Sequence, residues 1–142
     1  MTLLDVVIPG DPVGKGRPRC SCRGGKPRMR TPEKTRQWEE HAAEAMELEW
    51  RGREPIARPV AVTVVTYRRW PKSRGETVES EPYCTVGNDL DNEVKAILDA
   101  MQLAGVLDDD KSVVEVTAAK RWATRGEPRV WVRVRGVRGP SV

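Results

Sequence analysis

Apolar and polar positions follow two different rhythms along this chain, and the switches between them mark its elements. Leu3, Leu4, Val6, Val7 and Ile8 form a short apolar run stopped by Pro9-Gly10, which predicts a strand over residues 3–9. Residues 10–31 carry no helical period and are rich in Gly, Pro and Arg, with Gly24-Gly25 marking a turn or hairpin tip. Thr31-Pro32-Glu33 reads as a helix start: a Thr N-cap, Pro at the first helical position and an acid in the first turn. Trp38, Ala42, Ala45, Met46 and Trp50 recur at helical spacing, and Gly52 ends that helix. Pro55 and Pro59 frame a linker, after which Val60, Val62, Val64 and Tyr67 predict a strand over residues 60–69.

Residues 70–88 form a long polar connection, of a length that is uncommon in compact domains and often functional. Leu90, Val94, Ile97, Leu98 and Met101 then fall at i, i+4, i+7, i+8 and i+11, an amphipathic helix that Gly105 closes. Val113, Val114 and Val116 open a strand running to about Trp122, Gly126-Glu127-Pro128 turns the chain, and Val130, Val132 and Val134 alternate in a last strand. The tail from Gly136 is expected to fray. The order β-α-β-α-β-β predicts one α+β domain over residues 1–142, a mixed four-stranded sheet with its two main helices packed on one face.

Composition narrows the function classes. A chain of 142 residues with 38% hydrophobic content supports one core, and no run approaches the roughly 18 apolar residues of a membrane span. Met1–Pro9 contains Asp5 and lacks a basic region and a cleavage site, so no signal peptide is expected and the expected location is the cytoplasm. Three cysteines, Cys20, Cys22 and Cys84, and a single histidine, His41, make neither a disulfide framework nor a convincing zinc set; reduced thiols are the default.

The net charge of +4 is modest, but its distribution is not uniform. Residues 14–36 hold nine Lys or Arg against one acid, Glu33. Within them Lys15-Gly16-Arg17-Pro18-Arg19 sets three cations on alternate residues, which an extended segment would project to one side, and Arg forks match phosphate oxygens. A solvated arm is the bland alternative. Six aspartates lie within 22 residues: Asp89, Asp91, Asp99, Asp108, Asp109 and Asp110. Asp89 can cap the helix, worth about 0.3–1 kcal/mol. Asp91 and Lys95, four apart, can meet as an ion pair at the rim of the core, worth under about 1 kcal/mol. Asp108–Asp110 can be a solvated turn. Three adjacent acids repel, however, and a hard divalent cation, which takes carboxylate oxygens and needs no His or Cys, relieves that repulsion. An EF-hand calcium site lacks the required spacing and Gly.

The run Asp89-Leu-Asp91-Asn92-x-x-Lys95-Ala-x-x-Asp99-Ala, then Gly105-Val-Leu-Asp-Asp109-Asp110-x-x-Val-Val and Lys120, resembles the RusA family of Holliday junction resolvases. Lys15-Gly-Arg17-Pro-Arg19 and Thr31-Pro-x-x-Thr-x-x-Trp-Glu resemble versions common in phage-type members, and the resemblance spans residues 9 to about 135. The chain departs from the pattern at Glu93, where Leu is frequent, at Gly87-Asn88 in place of a Pro, and at Ser112 in place of a Gln.

The resemblance implies a metal-dependent endodeoxyribonuclease that resolves four-way junctions by paired symmetric nicks in DNA recombination and repair. It implies Asp89, Asp91 and Asp110 as the acids that hold Mg²⁺ (or Mn²⁺), with Asp109 as the one-residue alternative to Asp110. Lys95 is implied as the essential lysine. Lys15, Arg17 and Arg19 are expected on backbone phosphates, and a homodimer on branched DNA is expected to place two sites across the junction. The competing reading is a non-catalytic nucleic-acid-binding module that uses the basic loop and has no need of the acids together.

Overall fold

The computed structural model describes residues 1–15, 19–21, 28–30, 32–77 and 79–138, with 19–21 and 28–30 described through their backbone. Alternation builds the sheet. In β1 (Thr2–Pro9) every second side chain from Leu4 to Ile8 is buried, and β6 (Arg129–Gly136) buries Val130, Val132 and Val134 in the same way. These two pair antiparallel, β6 pairs antiparallel with β4 (Val60–Arg69), and β4 pairs in parallel with β5 (Val113–Ala123). The resulting order, β1-β6-β4-β5, is the expected mixed four-stranded sheet. Gly126-Glu127-Pro128 does not close a hairpin, because β4 lies between the strands it joins.

Two helices cover the buried face. α1 (Glu33–Trp50) turns Trp38, Ala42, Met46 and Trp50 inward. α2 (Leu90–Leu103) buries Ala96, Ile97, Ala100 and Met101 against them. A second, two-stranded sheet pairs β2 (Arg19–Ser21) with β3 (Arg28–Arg30), so the basic segment forms a hairpin stem; Gly24-Gly25, its expected tip, lies outside the described residues.

The helix ends differ in detail from expectation. Pro32 occupies the N-cap position of α1 rather than its first turn, and the expected Thr31 cap lies outside the described residues. Arg51, at φ 56°, takes the left-handed turn that ends α1, one residue before Gly52. Gly105, at φ 75°, follows α2 as its spacing predicted. No helix among the described residues is long and apolar enough to cross a membrane. Cys84 is a buried free thiol.

Three features of this arrangement govern the site. First, β4, α2 and β5 form a strand-helix-strand crossover, so the start of α2 and the start of β5 face opposite ends of the sheet. Second, segment 70–88 is not a free loop. The Trp70 indole N–H donates to Gly75 O at 2.7 Å, Cys84 N–H to Lys120 O at 2.9 Å, and Trp122 N–H to Pro82 O at 2.8 Å. It runs beside the C-terminal part of β5 and leaves the N-terminal part uncovered, where Val114 and Val116 are 58% and 46% exposed. Third, residues 11–15 are stitched to the beginning of α2, as described next.

Candidate active site

Asp89 stands at the N-cap of α2 with β-region backbone angles, yet its side chain makes no capping hydrogen bond. The simplest structural use for that carboxylate is therefore not made. Asp91, in the first turn, is exposed, and so is Lys95 one turn on. The two are not paired: among the described residues no ion pair joins Asp91 to Lys95, although their i, i+4 spacing would allow one. Among the described residues, two carboxylates and one ammonium thus share one exposed end of α2 without an ion-pair partner.

What holds that end in place is a polar network. Asn88 Nδ2 donates to Pro12 O and to Glu93 Oε2, both at 3.3 Å. Glu93, 3% exposed, also accepts from Thr66 Oγ1 at 2.8 Å, so both its oxygens are engaged. A buried carboxylate needs such partners. Lys120 Nζ, from β5, donates to Asn88 O, the carbonyl immediately before Asp89.

The basic segment leaves the fold at the same place. Lys15 N–H donates to Asn92 O at 2.9 Å, Thr35 Oγ1 to Gly14 O at 3.3 Å, and a Cβ on Gly14 would lie 2.9 Å from Asn88 Cβ. Only glycine allows so close an approach. The chain therefore enters the basic segment from beside the first turn of α2. Arg17 lies outside the described residues.

Lys15, expected on a backbone phosphate, is ion-paired inside the fold. Its ammonium lies 2.7 Å from Glu39 of α1 and 2.9 Å from Asp99 of α2. Burial works against its charge most strongly, but hydrogen bonds and Coulombic attraction from Glu39 and Asp99 outweigh it and raise its pKa. Lys15 is an internal clamp between the helices.

Asp110 lies elsewhere. It begins a 3-10 turn, Asp110–Ser112, that leads into β5. The C-terminal end of α2 is tied to the stretch before β4, with Asp108 N–H donating to Ile56 O at 3.1 Å and a bridge between Ile56 and Leu107. The N-terminal end is tied to Lys120, near the far end of β5. The 14 residues of α2 span about 21 Å at the helical rise of about 1.5 Å per residue. Asp110 is thus a helix length from Asp89 and Asp91 in the same chain. Among the described residues no three Asp, Glu, His or Cys side chains gather to hold a metal ion. The three acids expected to hold the cation are therefore not gathered within one chain.

The geometry does separate the acids of the Asp108–Asp110 run. Asp109 accepts the Lys111 backbone N–H at 2.9 Å, which together with neighbouring Asp110 and Lys111 holds its carboxyl below the usual range. Asp109 is spent on capping the turn; Asp110 is exposed.

Sequence reasoning did not single out Arg68 and Arg74, which line a cleft with Asn88 beside the start of α2. Nothing in their local spacing singled them out, because β4 and the long connection bring them there.

The comparisons with known proteins concern nearly the whole of this arrangement. Residues 9–135 match the family described as endodeoxyribonuclease RusA. An uncharacterized protein of Bacillus subtilis (strain 168), YqaN, is 33% identical over 144 residues, which cover 96% of this chain and 99% of that protein.

Proposed function

The chain belongs to the RusA endodeoxyribonuclease family, a family of Holliday-junction-resolving endonucleases, and from that premise we propose that it is a divalent-metal-dependent, homodimeric enzyme that resolves four-way DNA junctions. The observation that carries this reading is the junction of two opposite charges at one edge of the fold. Residues 12–15, which lead into the basic segment, are fastened to the start of α2, where among the described residues Asp89 and Asp91 have no ion-pair partner. A nucleic-acid-binding module would have no use for carboxylates facing its phosphate-binding arm, since they repel the ligand. A hard cation between them reverses that repulsion.

Asp89 and Asp91 supply two ligands, and Asp110 is proposed as the third, from a second copy. The uncovered edge of β5 offers a route. If two copies add to each other antiparallel along this uncovered stretch, the start of one β5 runs beside the middle of the other, up to where residues 82–84 cover the edge. That places the partner subunit's Asp110 toward the end where Asp89 and Asp91 stand. A dimer so built has two equivalent sites, as paired incision requires. When bound, Mg²⁺ supplies an activated water and neutralises charge on the scissile phosphate.

The chain's own groups have separate tasks. Arg17 and Arg19 bind backbone phosphates, and Lys95, unpaired one turn from Asp91, lies ready to offset charge on the phosphoryl oxygens. Asp109 is not a ligand in this reading, because its carboxylate is already committed to the 3-10 turn.

The test is incubation of the purified chain with an end-labelled synthetic four-way junction, with Mg²⁺ or with EDTA. Paired nicks at symmetric positions, in Mg²⁺ only, are expected. Junction binding in EDTA with no cutting at any Mg²⁺ or Mn²⁺ concentration would replace the enzyme reading with the binding module.

A further inference from the structure

Beside the start of α2, between the stretches that lead into and out of the basic segment, lies an open cleft of about 660 Å³, within the size range of ligand sites. Its walls come from residues 11–13, the end of β4, the 70–88 connection, Asn88 and Trp122. Lys34, Arg68, Arg69 and Arg74 line it, against a single carboxylate, Asp11. Asp11 is already engaged with Arg69: it accepts the Arg69 backbone N–H at 3.0 Å and lies 3.6 Å from the guanidinium. Lys34, Arg68 and Arg74 have no carboxylate partner among the described residues.

Two of these cations are held in place without being neutralised. Arg68 packs its guanidinium on the backbone of Gly87, at φ 85°, so closely that a Cβ there would lie 2.2 Å from Nη1. A half-buried arginine is thereby fixed against main chain rather than against an acid. Arg74 lies over the Trp122 and Trp70 rings, at 4.9 Å and 5.5 Å from their centroids, and the two rings meet edge to face at 5.3 Å. The rings fix its cation by cation–π attraction, which leaves the N–H fork free. Stability alone gives no reason to pin two arginines in this way at the rim of one cleft. An anion bound between them does.

We propose that this cleft is a phosphate subsite: Arg68 and Arg74 grip a backbone phosphodiester of the DNA strand next to the phosphate presented to Asp89 and Asp91. Asn88, which lines the cleft and directly precedes Asp89, makes the two sites continuous. The inference rests on the nuclease reading above and adds to it a function for segment 70–88, which carries Arg74 and the ring that supports it. The strand would then be held beside the acids by this cleft as well as by the basic segment. Arg68 and Arg74 are positioning residues, acting on the strand's course rather than on the reacting atoms.

The experiment measures binding of a four-way junction across a salt series in EDTA, for the wild-type chain, Arg68→Ala, Arg74→Ala, the double variant and Arg68→Lys, with thermal unfolding of each. Each alanine variant is expected to bind about three- to tenfold more weakly and to lower the slope of log affinity against log salt by about one, and the double variant by about two. Arg68→Lys keeps its charge and is expected to keep the slope. Slopes equal to wild type in both single alanine variants overturn the subsite, whatever happens to affinity, since a merely structural arginine releases no counterion. If Arg68→Ala unfolds, Arg74→Ala, in an exposed 3-10 turn, decides alone. A wild-type chain that neither binds nor cuts the junction overturns the nuclease reading and the subsite with it. Normal wild-type binding with unchanged variant slopes overturns the subsite only.

Discussion

Replacing Lys15 with Met removes an ammonium from between two helices while keeping most of the side chain's length. The ammonium serves two carboxylates at once, Glu39 and Asp99, and the three side chains are 19%, 13% and 25% exposed. An exposed ion pair contributes at most about 1 kcal/mol, and removing one partner from a fully buried pair costs about 3–5 kcal/mol. Lys15 sits between these limits, shielded but reached by solvent, so Lys15→Met is expected to cost about 2 kcal/mol. For a domain of this size that lowers Tm by about 4–8 °C. The sign with pH follows from the raised pKa. A lysine whose folded pKa exceeds its unfolded value near 10.5 contributes fully below about pH 10 and loses that contribution as pH rises through the folded value. The Tm gap between wild type and Lys15→Met should therefore be flat through neutral pH and close in strong alkali. The second readout is junction binding across a salt series. A clamp contributes no counterion release, so Lys15→Met should leave the salt slope unchanged. An unchanged Tm together with a slope smaller by about one would refute the clamp and return Lys15 to the DNA.

Other consequences follow from the same geometry. Arg17→Ala is expected to weaken junction binding and lower the salt slope by about one; an unchanged slope would remove the hairpin from the phosphate contacts. Asp91→Asn should abolish cleavage in Mg²⁺ and retain or tighten junction binding, because it removes a ligand and a negative charge together; normal cutting would refute the assignment. Asp110→Asn should abolish cleavage, while Asp109→Asn should cut and show at most a small loss of Tm, a split read on the same junction substrate. Thr66→Val leaves a buried oxygen of Glu93 without its 2.8 Å donor and should cost about 1–3 kcal/mol in denaturant unfolding; no loss would mean that water or another donor replaces the hydroxyl.

Much of this was legible in the sequence, and the reason is periodicity. The alternation of Val130, Val132 and Val134 and the stripe from Leu90 to Met101 are local patterns that survive intact into the fold. The free state of Asp89 was not legible, because whether an acid at an N-cap makes its bond depends on a backbone geometry that composition does not encode. The contacts of Lys15 were hidden for a similar reason: its neighbours in sequence are cations, but its neighbours in space are Glu39 and Asp99. The separation of Asp110 from Asp89 and Asp91 did have a signal. A helix between two strands that pair in parallel must carry the chain from one end of the sheet to the other. Acids at the two ends of that crossover cannot share an ion within one chain. Arg68 and Arg74 had no signal, since the cleft they line is assembled from four separate stretches of sequence.

The central claim is that the acidic site is completed between two copies, with Asp89 and Asp91 from one and Asp110 from the other. Co-expression of Asp91→Asn and Asp110→Asn chains, each inactive alone, tests it directly. About half of the randomly assembled dimers would then pair one chain of each kind. In such a dimer one site carries both lesions and the other is intact, so the mixture should regain single-strand nicking of a four-way junction in Mg²⁺. A mixture that forms mixed dimers and cuts nothing would contradict the account, because it would place all three acids of each site in one chain.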